Sequence, residues 1–193
     1  QAISRTEALP IVRPLSNEAG IIGQVLDAGA RGVIVPMVNT KGDAIRAAEA
    51  CRYSPKGSRS YGPVRAHMDL GVLYSEFPDS DALCFVMVET SEALKNIHEI
   101  ASTPGIDGLF VGPADLSVSM GLSPSNDSED DEFKAALDLT LNVCEEQNLI
   151  PGIFADTTTG KKRLSQGFQF VPVAVDFGVL MSGALDALEK AKN

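Results

Sequence analysis

A parallel α/β fold is predicted by two features of the sequence. The first is a set of six apolar runs: "PIVRP", "RGVIVPMV", "ALCFVMVE", "GIDGLFVGP", "IPGIFA" and "FQFVPVAVD". Within them apolar residues are continuous rather than alternating, as expected of strands covered on both faces. The second is that a helix-patterned segment stands between most of these runs, the rhythm of βα units. Two architectures satisfy it, a doubly wound open sheet and a (β/α) barrel. No G-x-G-x-x-G turn follows an early strand and no G-x-x-x-x-G-K-[ST] loop occurs, so the common nucleotide-binding variants lose their signature. A complete barrel takes eight strands and about 250 residues. The 193 residues here are expected to form one (β/α) domain, 1–193, two strands short.

In chain order, "QAISRTEALPIVRPLSN" is a loop leading into the short strand "PIVRP". "NEAGIIGQVLDAGA" places Ile21, Ile22, Val25 and Leu26 near helical spacing and stops at Gly29. "RGVIVPMV" is a buried strand, and "KGDAIRAAEACRY" a second helix. "SPKGSRSYGPVRAHMDLG" is punctuated by Gly and Pro and reads as a long loop. "ALCFVMVE" is a strand, and "SEALKNIHEIAST" a helix with Ser91 as its N-cap. "GIDGLFVGP" is a strand; "SPSNDSEDDEF" reads as a solvated acidic connection. "EFKAALDLTLNVCEEQN" is a helix, "IPGIFA" a strand, "TTGKKRLSQG" a helix, "FQFVPVAVD" the last strand and "VLMSGALDALEKAKN" the closing helix.

The charge balance narrows the partners. Sixteen Lys and Arg stand against 26 Asp and Glu, a net charge of -10. Nucleic acid and anionic membranes need a basic face, so neither is expected, whereas a small anionic substrate is compatible with a local positive pocket. No apolar run approaches the ~20 residues of a membrane span, and no signal-peptide pattern occurs. Cys51, Cys84 and Cys144 are odd in number and lack C-x-x-C spacing, which argues against a disulfide or zinc framework. The expected setting is the cytoplasm, where the Asn126-Asp127-Ser128 sequon is fortuitous.

In parallel α/β folds chemistry gathers at the C-terminal ends of the strands. The runs end on Arg13, on Asn39-Thr40, and on four acids: Glu89, Asp115, Asp156 and Asp176. Bare acids in a ring repel one another, and a divalent cation with oxygen ligands relieves that. Glu89 and Asp115 end successive strands, so they can share one ion. Each acid also has a plainer use, as a helix cap or first-turn residue, and for Asp156 that use is preferred. Pro113-Ala114-Asp115 opens a helix whose free N–H groups can cradle an anion. Arg59, in the Gly-bounded stretch "PKGSRSYGP", is placed to fold over the strand ends and polarise a carbonyl oxygen.

Four segments, "VLDAGARGVIVPMVNT", "YSPKGSRSYGP", "VMVETSEALKNIHEIASTPGIDGLFVGPADLSVSMG" and "GFQFVPVAVDFGVLMSGA", resemble the metal-dependent HpcH/HpaI aldolases. That group takes in 4-hydroxy-2-oxoheptanedioate aldolases, 2-dehydro-3-deoxyglucarate aldolases and macrophomate synthases. The resemblance covers most of residues 10–185. It implies a TIM (β/α)8-type barrel of the pyruvate/phosphoenolpyruvate group lacking its first two strands in this chain. It implies a divalent metal, Mg2+ or alternatively Mn2+ or Co2+, on Glu89 and Asp115. Arg59 would bind the keto oxygen, and the backbone of Gly112, Pro113, Ala114 and Asp115 would hold the carboxylate of a pyruvate- or oxaloacetate-type 2-oxo acid. The implied reaction is cleavage of a 4-hydroxy-2-oxo acid to pyruvate and an aldehyde through a metal-bound enolate. Oxaloacetate decarboxylation, macrophomate synthase-like chemistry and a non-catalytic descendant are the alternatives. A homo-oligomer, trimeric or hexameric, is also implied.

The sequence departs from the family pattern in three places. The Asp-x-Glu-His motif that carries a proton-transfer histidine has no counterpart, since His67 follows Arg59 and His98 sits inside a helical stretch. Ser60 follows Arg59 where glycine is usual, and Met87 stands two residues before Glu89 where Gln is common. A Schiff-base aldolase would need a lysine buried at a strand end. The lysines here fall in helices or loops, Lys41 being nearest a strand. Specificity is expected from loops that include residues 64–80.

Overall fold

Residues 2–62 and 82–192 are described in a computed structural model of the chain. His67 and the specificity segment 64–80 lie outside them. Five parallel strands form one sheet in the order β1-β2-β3-β4-β5: Ile11–Val12, Gly32–Val35, Leu83–Val88, Gly108–Val111 and Ile150–Ile153. The helices are α1 Ala19–Asp27, α2 Lys41–Ala50, α3 Ser91–Lys95, α4 Ile97–Ala101, α5 Pro113–Ser119, α6 Asp131–Gln147, α7 Gly160–Gln166 and α8 Asp176–Lys192.

Two facts decide between the architectures the sequence left open. Each strand lies beside its predecessor, parallel and in chain order, with no reversal of direction across the sheet. In addition, among the described residues the helices that pack on the sheet do so on one face. Val33, Val35, Cys84, Val86, Val88 and Leu109 pack with Ile22, Leu26, Ala47, Ile97, Ile100 and Val143. Val111 and Ile153 pack with Leu116, Phe133 and Leu137. The alternate residues Phe85, Met87 and Phe110 turn the other way and cluster with Ile34, Ile150, Phe154 and Phe170. A doubly wound sheet carries helices on both faces; a sheet wound in one direction with an aromatic inner face is part of a barrel wall. Glycines let that wall close up. A Cβ at Gly108 would lie 2.5 Å from the Phe85 ring, and one at Gly152 would lie 2.7 Å from the Phe110 ring.

Some elements differ from expectation. The run "FQFVPVAVD" forms no sixth strand: only Phe170 bridges to Gly152, and the chain beyond Val171 is irregular until α8. Pro172 has no N–H to give a ladder, and Val173 is 61% exposed. The helix expected over 91–103 breaks at Asn96, whose side-chain amide donates to the Asn39 carbonyl at 2.8 Å. Its N-cap is Thr90 rather than Ser91, the Thr90 hydroxyl accepting from the Ala93 N–H at 3.0 Å. The acidic connection is pinned down rather than solvated. Asp127 accepts from Arg163, a side chain 1% exposed, at 2.9 Å and from Lys162 at 2.7 Å. All three cysteines are buried, and none is in a disulfide among the described residues. Among the described residues no helix is long and apolar enough to cross a membrane.

Candidate active site

Strand direction places Arg13, Met37, Glu89, Gly112 and Asp115 at one end of the sheet, each just past the C-terminus of β1, β2, β3 or β4. Glu89 is 2% exposed. It continues the alternation of Phe85 and Met87, so it faces the inner side of the wall. One carboxylate oxygen, Oε1, accepts from the Met37 N–H at 2.7 Å. The other, Oε2, is buried and has no hydrogen-bond partner among the described residues. A Cβ at Gly112 would stand 2.9 Å from Oε2 and 2.9 Å from the Met87 thioether methyl. Glycine is therefore required beside Glu89 by close approach.

Burial pushes the Glu89 carboxyl above its ordinary range. The Met37 N–H opposes that shift, the Asp115 charge adds to it, and the Arg13 charge from the end of β1 opposes it. Asp115 and Arg13 are thus both close enough to act on Glu89. Asp115 itself is exposed in the first turn of α5. A buried anion with one unsatisfied oxygen, beside a second carboxylate, calls for a cation. Two carboxylates suit a hard divalent ion, which keeps water and substrate for its remaining ligands. Among the described residues no three His, Cys, Asp or Glu side chains gather to hold a metal alone.

The anion cradle at α5 is narrower than expected. The Gly112 N–H is spent on the Val88 carbonyl at 3.2 Å, and Pro113 has none. The Gly112 carbonyl accepts the first helical bond from the Leu116 N–H at 2.9 Å. The N–H groups of Ala114 and Asp115 therefore have no acceptor within the helix.

Arg59 is not brought to these acids. Its guanidinium donates to Asp27 at 2.8 Å and lies 4.7 Å from the centre of the Tyr53 ring, with the side chain 6% exposed. Asp27 ends α1, and the Arg59 N–H donates to the Arg52 carbonyl just past α2. Helices in this fold end where strands begin, so Arg59 is anchored at the opposite end of the sheet. The cation that does act on Glu89 is Arg13. Asp156 turns back on its own loop, accepting from the Thr158 hydroxyl at 2.7 Å and from the Thr158 and Thr159 N–H groups at 2.9 and 3.0 Å. Asp176 is exposed at the start of α8, where the Phe177 N–H donates to it. His98 is an exposed helix residue 3.7 Å from Glu146, away from the strand ends.

The Met37 contact gives no signal in the sequence beyond its place after a strand. Arg13 gives one, being the residue on which the first strand ends.

Comparison with known proteins bears on this arrangement. The profile of the HpcH/HpaI aldolase/citrate lyase family matches residues 1–183. A hydroxypyruvate/pyruvate aldolase of Rhizorhabdus wittichii is 38% identical over 192 residues, 99% of this chain and 76% of that one. A 4-hydroxy-2-oxo-heptane-1,7-dioate aldolase of Klebsiella pneumoniae is 38% identical over 191 residues, covering 95% and 70%. Among solved structures, an HpcH/HpaI aldolase/citrate lyase family protein from Burkholderia cenocepacia superposes with a TM-score of 0.88 at 29% identity, over 100% of this chain and 77% of that one.

Proposed function

The chain belongs to the HpcH/HpaI aldolase/citrate lyase family, and from that premise we propose that it is a divalent-metal-dependent aldolase cleaving a 4-hydroxy-2-oxo acid to pyruvate and an aldehyde. The aldolase names of two relatives at 38% identity support the reaction class. The observation that carries the reading is the unsatisfied, buried Oε2 of Glu89 beside Asp115.

In this reading Glu89 and Asp115 hold the ion, with Mg2+ the first choice and Mn2+ or Co2+ alternatives. A divalent cation supplies Lewis-acid polarisation of the 2-oxo acid and offsets charge that develops on its keto oxygen. Arg13 adds a second, fixed positive charge on the same side. The Ala114 and Asp115 N–H groups orient the substrate carboxylate. Met87 and the Phe85–Phe110–Phe170 cluster keep the inner wall beneath Glu89 apolar, which strengthens electrostatics at the site. The partner is thus a small pyruvate- or oxaloacetate-type acid. Arg59 has a structural role here. The three buried thiols, none in a disulfide among the described residues, fit a reducing cytoplasm, and α8, which buries none of its residues, fits a homo-oligomer.

The test is pyruvate release from 4-hydroxy-2-oxoheptane-1,7-dioate, followed by coupling to lactate dehydrogenase. Release that EDTA abolishes and Mg2+ restores is expected. Equal release with and without EDTA would refute the metal-dependent reading.

A further inference from the structure

Two side-chain-bearing residues among those described adopt a positive φ, Met37 and Asn148, both at φ 54°. Asn148 is the left-handed cap that ends α6, a common use for Asn. Met37 ends no helix, and its residue type does not favour that conformation. Nor does packing hold it there, because Met37 is 55% exposed. What the conformation achieves is on the backbone: the Met37 N–H meets Glu89 Oε1 at 2.7 Å. The other oxygen is left without a partner. The Gly112 Cα–H side lies beside it, close enough that a Cβ there would stand 2.9 Å away, and it donates no strong hydrogen bond.

We infer that the left-handed turn at Met37 is a positioning device for Glu89, tying Oε1 to the β2 end and reserving Oε2 as the single oxygen given to the metal. The inference rests on the reading that Glu89 and Asp115 hold a divalent cation. Its logic is that of an outer group that fixes a ligand's orientation, with a main-chain N–H in place of a side chain. A sequence change at residue 37 would act through φ and the N–H, not through the side chain. Replacement by glycine keeps both the donor and the freedom to reach positive φ. Proline removes the donor and fixes φ near −65°.

The probe is Mn2+, titrated into the intact protein and read from the free-ion EPR signal, with thermal melting in parallel. Wild type binds Mn2+ and Glu89→Gln loses it if the metal reading holds; failure of either result overturns that reading and this inference with it. Given both, Met37→Gly is expected to stay within about twofold of wild type. Met37→Pro is expected to bind about tenfold more weakly or worse. If the proline variant does not fold by circular dichroism, Met37→Val replaces it, since a β-branched residue resists positive φ. Wild-type Mn2+ affinity in a folded proline or valine variant would overturn the inference alone. So would a glycine variant as weak as the proline one, which would assign the effect to the side chain.

Discussion

Arg13 and Arg59 carry the same charge in opposite roles, and the difference lies in which end of the sheet each is tied to. Arg13 follows β1 and acts on Glu89. Arg59 is paired with Asp27 and packed on Tyr53 at the far end. Arg13→Ala is expected to lower kcat/KM by about 10²-fold with little change in melting temperature. Arg59→Ala is expected to do the reverse. Breaking a half-buried pair costs about 1–3 kcal/mol, seen in urea melts, while turnover at permissive temperature persists. Gly112→Ala tests the close approach beside Glu89. A methyl 2.9 Å from Oε2 must displace the carboxylate or the Met87 thioether, at about 1–3 kcal/mol, and weaker Mn2+ binding is the expected readout. Glu89 and Asp115 were legible in the sequence, because an acid closing an apolar run is visible without coordinates. Arg59 was misplaced because a long Gly/Pro-rich loop does not show which end of the sheet its first half is anchored to. Met37 was not legible, since nothing in a methionine announces a left-handed backbone.

Helix ends show how much of the local structure follows from short-range chemistry. Thr40 and Asp43 form a reciprocal capping box on α2, and Asp130 caps α6 by accepting from the Glu132 and Phe133 N–H groups. Asp156, a candidate metal ligand by its strand-end position, serves the turn before α7 instead. The Thr158 hydroxyl, the Thr158 and Thr159 N–H groups and the Thr159 hydroxyl hold its carboxyl down at about 2, from an ordinary 3.8. A depressed carboxylate stabilises the fold while it is ionised. Its contribution is therefore complete above pH 3.8 and disappears as pH falls through about 2. Asp156→Ala is expected to lose about 1 kcal/mol at neutral pH, with the gap to wild type closing on acidification. The elements misread from sequence share one cause: a tertiary partner overrode a local pattern. Asn96 leaves its helix to reach Asn39, and Asp127 is held by Arg163 from α7. "FQFVPVAVD" has strand composition but keeps only a single bridge, at Phe170.

At the scale of the molecule, a one-directional sheet with helices on one face gives the site its position. All βα turns open at the same end of the wall, so residues from distant parts of the chain meet there. The sequence made the α/β class readable; the sheet order settled which α/β architecture. The helix α8 is the remaining feature of that scale. It exposes Phe177, Leu180, Met181, Leu185 and Leu188, by 45–72%, at the helical spacing of an apolar stripe that a partner surface can cover. Light scattering after size exclusion is expected to give a trimer or hexamer, and Leu180→Asp to lower the assembly size.

In the proposed function Glu89, buried and with one oxygen unsatisfied among the described residues, is the ligand on which metal-dependent aldol cleavage depends. Glu89→Gln preserves size and, with its amide oxygen facing the Met37 N–H, that acceptor, while it removes the charge and puts an amide NH2, which is no metal ligand, in place of Oε2. Its rate of pyruvate release at saturating Mg2+ is the most direct measurement. A fall of about 10²-fold or more is expected, with the melting temperature unchanged or raised; release at the wild-type rate would rule Glu89 out as the metal ligand.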